Sequence, residues 1–160
     1  MATPTDIEML DYGRPQGALA RGLHRVVIQG VGATRTLLAK ESGALCLFDR
    51  AAGVVYTLPT PVEGMFFDFA TTVTITTNAA RTNTAIATEF LIGAVQLVIS
   101  GAATTLAASA NGTTIRIISS NGTTTGGVIG DQYRVTAISA TQWEIRGLIS
   151  ASGILATPFA

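Results

Sequence analysis

From about Arg35 onward, apolar and polar residues alternate in steps of two, a pattern that suits half-buried β-strands and little else. Met65, Phe67 and Phe69 fall on one face, with Phe66 and Asp68 on the other. Val73 and Ile75 alternate with Thr72, Thr74 and Thr76, and Ile115 and Ile117 with Thr114 and Arg116. Tyr133, Val135 and Ala137 alternate with Gln132, Arg134 and Thr136; Trp143, Ile145 and Ile149 alternate with Gln142, Glu144 and Arg146. Helical spacing wins over no long window. Threonine and the β-branched apolar residues fit a pleated surface because their χ1 angles are stiff. Turn signals part the runs at Ala51-Ala52-Gly53, Pro59-Thr60-Pro61, Asn78-Ala79-Ala80, Asn111-Gly112 and Asn121-Gly122. The pattern predicts an all-β chain. Residues 35–160 form a single β-sandwich or jelly-roll-like domain with Greek-key or jelly-roll connections.

Residues 1–34 differ, because Gly13, Pro15, Gly17, Gly22, Gly30 and Gly32 interrupt every run. They are read as an extended N-terminal arm. Its acids, Asp6, Glu8 and Asp11, come first, and Arg14, Arg21, Arg25 and Arg35 follow. Two readings stand side by side: a solvated tail, or an arm that orders on a partner. In the second, Ile7, Leu10, Tyr12, Leu19, Leu23, Val26 and Ile28 anchor the contact, and Arg14, Arg21 and Arg25 join them.

Composition narrows the function. With 48% hydrophobic and only 12% charged residues, the surface must be built from Thr, Ser, Asn and Gly, and such a surface adheres to protein and favours self-association. Ten basic and ten acidic residues give a formal charge of zero, so the field that draws proteins to phosphate backbones is missing and no nucleic-acid partner is expected. The longest apolar run, Phe90 to Ile99, is about half of the roughly 20 residues a membrane helix needs and is read as a pair of buried strand segments; no membrane partner is expected. The start shows no basic cluster followed by an apolar run, so the chain is expected to be made in the cytoplasm.

Catalysis needs titratable groups brought together, and the chain has one histidine (His24), one cysteine (Cys46) and one lysine (Lys40). Cys46 sits in Leu45-Cys46-Leu47-Phe48 and reads as a packed small hydrophobe. Asp49, Asp68, Glu89, Asp131 and Glu144 read as single solvated charges rather than a glycosidase pair. The glycine-rich stretch Gly122 to Asp131 lacks the Gly-Lys-Ser/Thr that would grip phosphate. No enzyme, cofactor or metal site is expected.

If residues 131–137 and 141–149 form an antiparallel hairpin, Tyr133 and Val135 must share the core face with Trp143 and Ile145. Two registers satisfy this. Facing Arg134 with Arg146 costs about 0.2–1 kcal/mol as a like-charge pair, so the register that faces Arg134 with Glu144 and Gln132 with Arg146 is expected, around an Ile138-Ser139-Ala140 loop.

Three segments together resemble the head decoration, or capsid cement, proteins of tailed bacteriophages. They are Leu47 to Pro59 with Gly64 to Phe69, then Asn121 to Asp131 followed by the Trp143 strand, and the ending Gly153 to Phe159. The likeness covers about Thr36 to Phe159. It implies a virion protein on the outer capsid surface, commonly a homotrimer, whose partner is the major capsid protein and which bridges neighbouring capsid subunits. The alternative is a carbohydrate-binding fibre or receptor-binding module on the virion surface. That alternative wants exposed aromatic rings, whereas Trp143 reads as core.

Overall fold

A computed structural model describes residues 25–30 and 32–160. The described residues are almost entirely β in their regular structure, with one short 3-10 turn among them at Ala39–Glu41. Its strands are β1 (Val27–Ile28), β2 (Thr34–Thr36), β3 (Leu45–Phe48), β4 (Val55–Thr57), β5 (Phe66–Thr71), β6 (Ala80–Asn83), β7 (Phe90–Ile99), β8 (Thr105–Asn111), β9 (Ile117–Ser120), β10 (Gln132–Ala137) and β11 (Gln142–Ala151). They form a seven-stranded sheet in the order β1-β3-β5-β10-β11-β7-β8 and a four-stranded sheet in the order β2-β4-β6-β9.

The first six strands enter the two sheets in turn, so each crossover between neighbours in one sheet passes through the other. That route makes β1·β3, β3·β5, β2·β4 and β4·β6 parallel without any helix. Greek-key and jelly-roll connections are antiparallel, so this half of the chain departs from the connections expected. The second half supplies antiparallel hairpins, β7·β8 and β10·β11, while β11 lies parallel to β7 over ten residues. The sheets also begin before Arg35: β1 and the first residue of β2 belong to the stretch expected to be arm.

A cluster of aromatic rings joins the sheets. Phe48 of β3, Phe69 of β5 and Tyr133 of β10 lie stacked along the larger sheet, with centroids 5.8 Å apart for Phe48–Phe69 and 5.0 Å for Phe69–Tyr133. Tyr56 of β4 meets Phe48 and Phe69 edge-on at 5.4 and 5.7 Å. Two hydroxyls then cross between the sheets. Tyr56 Oη donates to Leu47 O at 2.8 Å, and Tyr133 Oη shares a 2.8 Å hydrogen bond with buried Thr82 of β6. Met65, Phe67 and Phe69 are buried, as their spacing predicts, and Trp143 is wholly inside, 6.1 Å from Phe67.

The hairpin takes the other register. Arg134 faces Arg146, Tyr133 faces Gly147, and Ala137 faces Trp143. Size on the buried face decides it, because each large ring is set opposite a small residue. The register expected from charge would set Tyr133 against Ile145 and Val135 against Trp143. A Cβ on Gly147 would lie 2.3 Å from Tyr133 Cβ and 2.5 Å from Gln132 O, so only glycine admits this pairing. Charge does not disfavour this register either, since Asp68 of β5 meets Arg134 from its other side.

Three smaller expectations are corrected. Phe90–Ile99 is one continuous strand rather than two. Residues 72–77 form no strand: Thr72 N and Val73 N both reach Phe48 O, Ile75 N donates to Gly127 O, and only Ile75 of the apolar pair is buried. In β9 the buried apolar residue is Ile118, with Ser120 buried beside it. Ile115, Arg116 and Ile117 are all half-buried, and the C-terminal residues Pro158–Ala160 bond along that edge. The two Asn-Gly turns hold. Asn111 Oδ1 accepts from the amides of Thr113 and Thr114, and Asn121 Oδ1 likewise from Thr123 and Thr124.

Gly147→Ala is expected to destabilise the fold by about 1–3 kcal/mol through overpacking against Tyr133, read as a lowered urea midpoint. An unchanged midpoint would show that the Tyr133–Gly147 pairing does not set the register.

Candidate interaction surfaces

On the outward face of the larger sheet, β3, β5, β10 and β11 bound a shallow groove of about 550 Å³. Its polar centre is built on Asp68, which alternation along β5 points away from the Phe67 and Phe69 core. Arg134, directly opposite on β10, forms a two-pronged pair with it, Nε to Oδ1 at 2.7 Å and a terminal nitrogen to Oδ2 at 2.8 Å. The same guanidinium lies over the Phe66 ring, 4.7 Å from its centroid. Arg25, just before β1, donates to Gly43 O at 2.9 Å and also ion-pairs with Asp68. Arg146 pairs with Glu144 two residues away on its own strand, Nε to Oε1 at 2.9 Å, and its side chain stays 77% exposed. Burial pushes the Asp68 carboxyl up, but the hydrogen bonds and charges of Arg134 and Arg25 outweigh it and hold the group below its ordinary value.

Strand directions place the loops at two ends. The loops at residues 37–44, 58–65, 84–89, 112–116 and 138–141 share the end at which the chain enters β1 and at which its C-terminus lies. Contacts tie this end together, as Gly64 N donates to Ala137 O and Phe90 N to Thr141 O. Four large apolar side chains of these loops are exposed, Leu38, Val62, Ile86 and Ile138, and Val26 and Val27 at the entry to β1 are exposed at the same end.

The arm residues are placed only in part. Ile7, Leu10, Tyr12, Arg14, Leu19, Arg21 and Leu23, with His24, lie outside the described residues. Arg25 and Val26 are exposed, Arg25 in the groove and Val26 giving its carbonyl to Leu45 N. Ile28 is buried in the core and is no surface anchor.

Two acids expected to be solvated are buried. Asp131 accepts from Gly127 N at 2.6 Å, from Ser150 N at 2.7 Å and from Ser150 Oγ, so it fastens the glycine-rich loop to β11. Burial pushes its carboxyl above the ordinary value against the pull of those donors. Glu89 accepts from Ala85 N at 3.0 Å and shapes the 84–89 loop. Asp68 too does more than carry a solvated charge. An acid flanked by Phe66, Phe67 and Phe69 was its signal, since a mid-strand carboxylate among rings calls for a cationic neighbour. Cys46 is wholly buried, and burial pushes its thiol up to about 12, which suits packing rather than chemistry. Among the described residues no three His, Cys, Asp or Glu side chains gather as metal ligands, and no helix is long and apolar enough to cross a membrane.

No protein-family model, curated protein or solved structure matches the chain.

Because the Asp68 carboxyl sits below its unfolded value, its pairing stabilises the fold above the unfolded pKa and is lost as pH falls through the folded one. Asp68→Asn is expected to cost about 1 kcal/mol at pH 7, an amount kept small by the exposure of both arginines. The gap between variant and parent should close in acid. Chemical denaturation across pH checks this, and a gap that persists at low pH would refute it.

Proposed function

We propose that the chain is a structural protein of the virion that lies on the outer surface of a phage capsid and bridges neighbouring capsid subunits. In this reading the two sheets act as one sandwich-type domain, preceded by an N-terminal arm, and three copies assemble as a homotrimer. The partner is the major capsid protein, with no nucleic acid or membrane involved and no chemistry performed.

One observation carries the reading. Leu38, Val62, Ile86 and Ile138 are exposed together at the end where the chain enters β1, so arm and loop tips can press on one surface. Each contact is weak alone; three ends on one trimer act at high effective concentration. The sheet edges support self-association. β1 and β2 are only two and three residues long, β9 is covered by Pro158–Ala160, but β8 is a seven-residue edge, Thr105–Asn111, without charge or proline. Uncovered edges of this kind recruit further strands. Among the described residues the aromatic rings lie chiefly inside, Trp143, Tyr56 and Tyr133 among them, which weighs against the carbohydrate-binding alternative.

Val62→Asp combined with Ile86→Asp is expected to weaken binding to phage heads stripped of their own decoration by roughly tenfold or more, with thermal stability retained because both side chains are exposed. The parent should saturate at a fixed number of copies per head. Absence of saturable binding by the parent, or unchanged binding by the variant, would defeat the proposal.

Multi-angle light scattering should give three times 16.5 kDa for the parent, and Ala107→Lys on the β8 edge should shift the mass toward a monomer. A monomeric parent at micromolar concentration would remove the trimer.

A further inference from the structure

The formal neutrality of the chain conceals a division. Its first eleven residues carry Asp6, Glu8 and Asp11 and no Lys or Arg, so they sum to −3; the other 149 hold all ten basic residues and seven acids, +3. Three arginines gather at the groove, where Arg25, Arg134 and Arg146 are set against Asp68 and Glu144, leaving one positive charge in excess. Two arginines share the single Asp68 carboxylate, and among the described residues Arg146 pairs with Glu144 of its own strand, its side chain exposed. Beside them lie the half-buried Leu45 and the exposed Leu148, apolar surface that no other described residue covers fully.

We infer that residues 6–11 of the chain dock in the arginine groove of the same chain, with Asp6, Glu8 and Asp11 meeting Arg25, Arg134 and Arg146 and with Ile7 and Leu10 covering Leu45 and Leu148. Reach permits it. The described chain starts at Arg25, itself a groove residue, and the thirteen residues between Asp11 and Arg25 can span up to about 45 Å. The groove crosses from β3 to β11, three strand spacings, about 14 Å. A tether of this length gives an effective concentration of the order of millimolar, so an affinity too weak to matter between separate molecules suffices within one. An acidic peptide of a partner has the same chemistry but lacks the tether. The inference does not depend on capsid binding.

Paramagnetic relaxation on the full chain tests it. A nitroxide on Met9→Cys is selective, since Cys46 is wholly buried. The amide signals of Gln132, Arg134, Arg146 and Leu148 are expected to lose at least half their intensity against the reduced label. They should recover with Asp6→Asn, Glu8→Gln and Asp11→Asn together, and in about 0.5 M salt, where the screening length falls below 5 Å. A mixture of isotope-labelled chains lacking the nitroxide with unlabelled chains bearing it should show no loss. Full intensity in the first sample, loss that survives the triple substitution, or loss in the mixed sample would overturn the inference.

Discussion

The structure depends on a size match at the centre of the larger sheet, where Tyr133 lies over a position that only glycine can fill. With Gly147 opposite it, the ring stacks on Phe69 and carries its hydroxyl to Thr82 in the other sheet. Tyr56 makes the reciprocal link, from the smaller sheet to Leu47 O of β3. Buried hydroxyls are costly when unpaired and modestly stabilising when satisfied. These two bonds therefore hold the sheets in one relative placement, while the rings supply the apolar burial.

Fixing the inward face fixes the outward one, because successive side chains in a strand point to opposite sides. Once Tyr133 and Phe69 are neighbours in the core, Arg134 and Asp68 are neighbours outside, and their two-pronged pair follows. The same register brings Arg134 opposite Arg146. That juxtaposition is tolerable because Asp68 and Glu144 each take one guanidinium. The cationic groove is thus a consequence of core packing, not an independent design.

Strand identity was legible in the sequence where alternation ran through large apolar residues, as in Met65–Phe69, Gln132–Ala137 and the Trp143 strand, but not at 72–77, where alternation with threonine marks a loop. Pairing was not. Alternation settles which residues face inward but says nothing of which strand lies alongside, so Asp68 could not be assigned to Arg134 across 66 residues of chain. Register is a related case: the charge preference at Arg134 is worth less than the volume match of Gly147 opposite Tyr133. Loop ties hid the rest. Ile75 carries a period-two mark, yet it is a loop tied to Gly127 and not a strand that buries it, and Ile118 faces inward one residue off the Ile115–Ile117 alternation, in a strand whose outer edge the C-terminus covers. Parallel crossovers through a second sheet give no local signal at all.

The functional account joins one end of this framework to a partner surface: the exposed apolar loop tips and the chain entering β1 face the same way, and the opposite end stays free. Hydrogen exchange of the protein bound to stripped phage heads, compared with the free protein, tests that polarity most directly. The account predicts slowed exchange in residues 37–44, 58–65, 84–89 and 138–141, with loops 49–53, 100–104 and 128–131 unchanged. Protection confined to those latter loops, or none at either end, would contradict it.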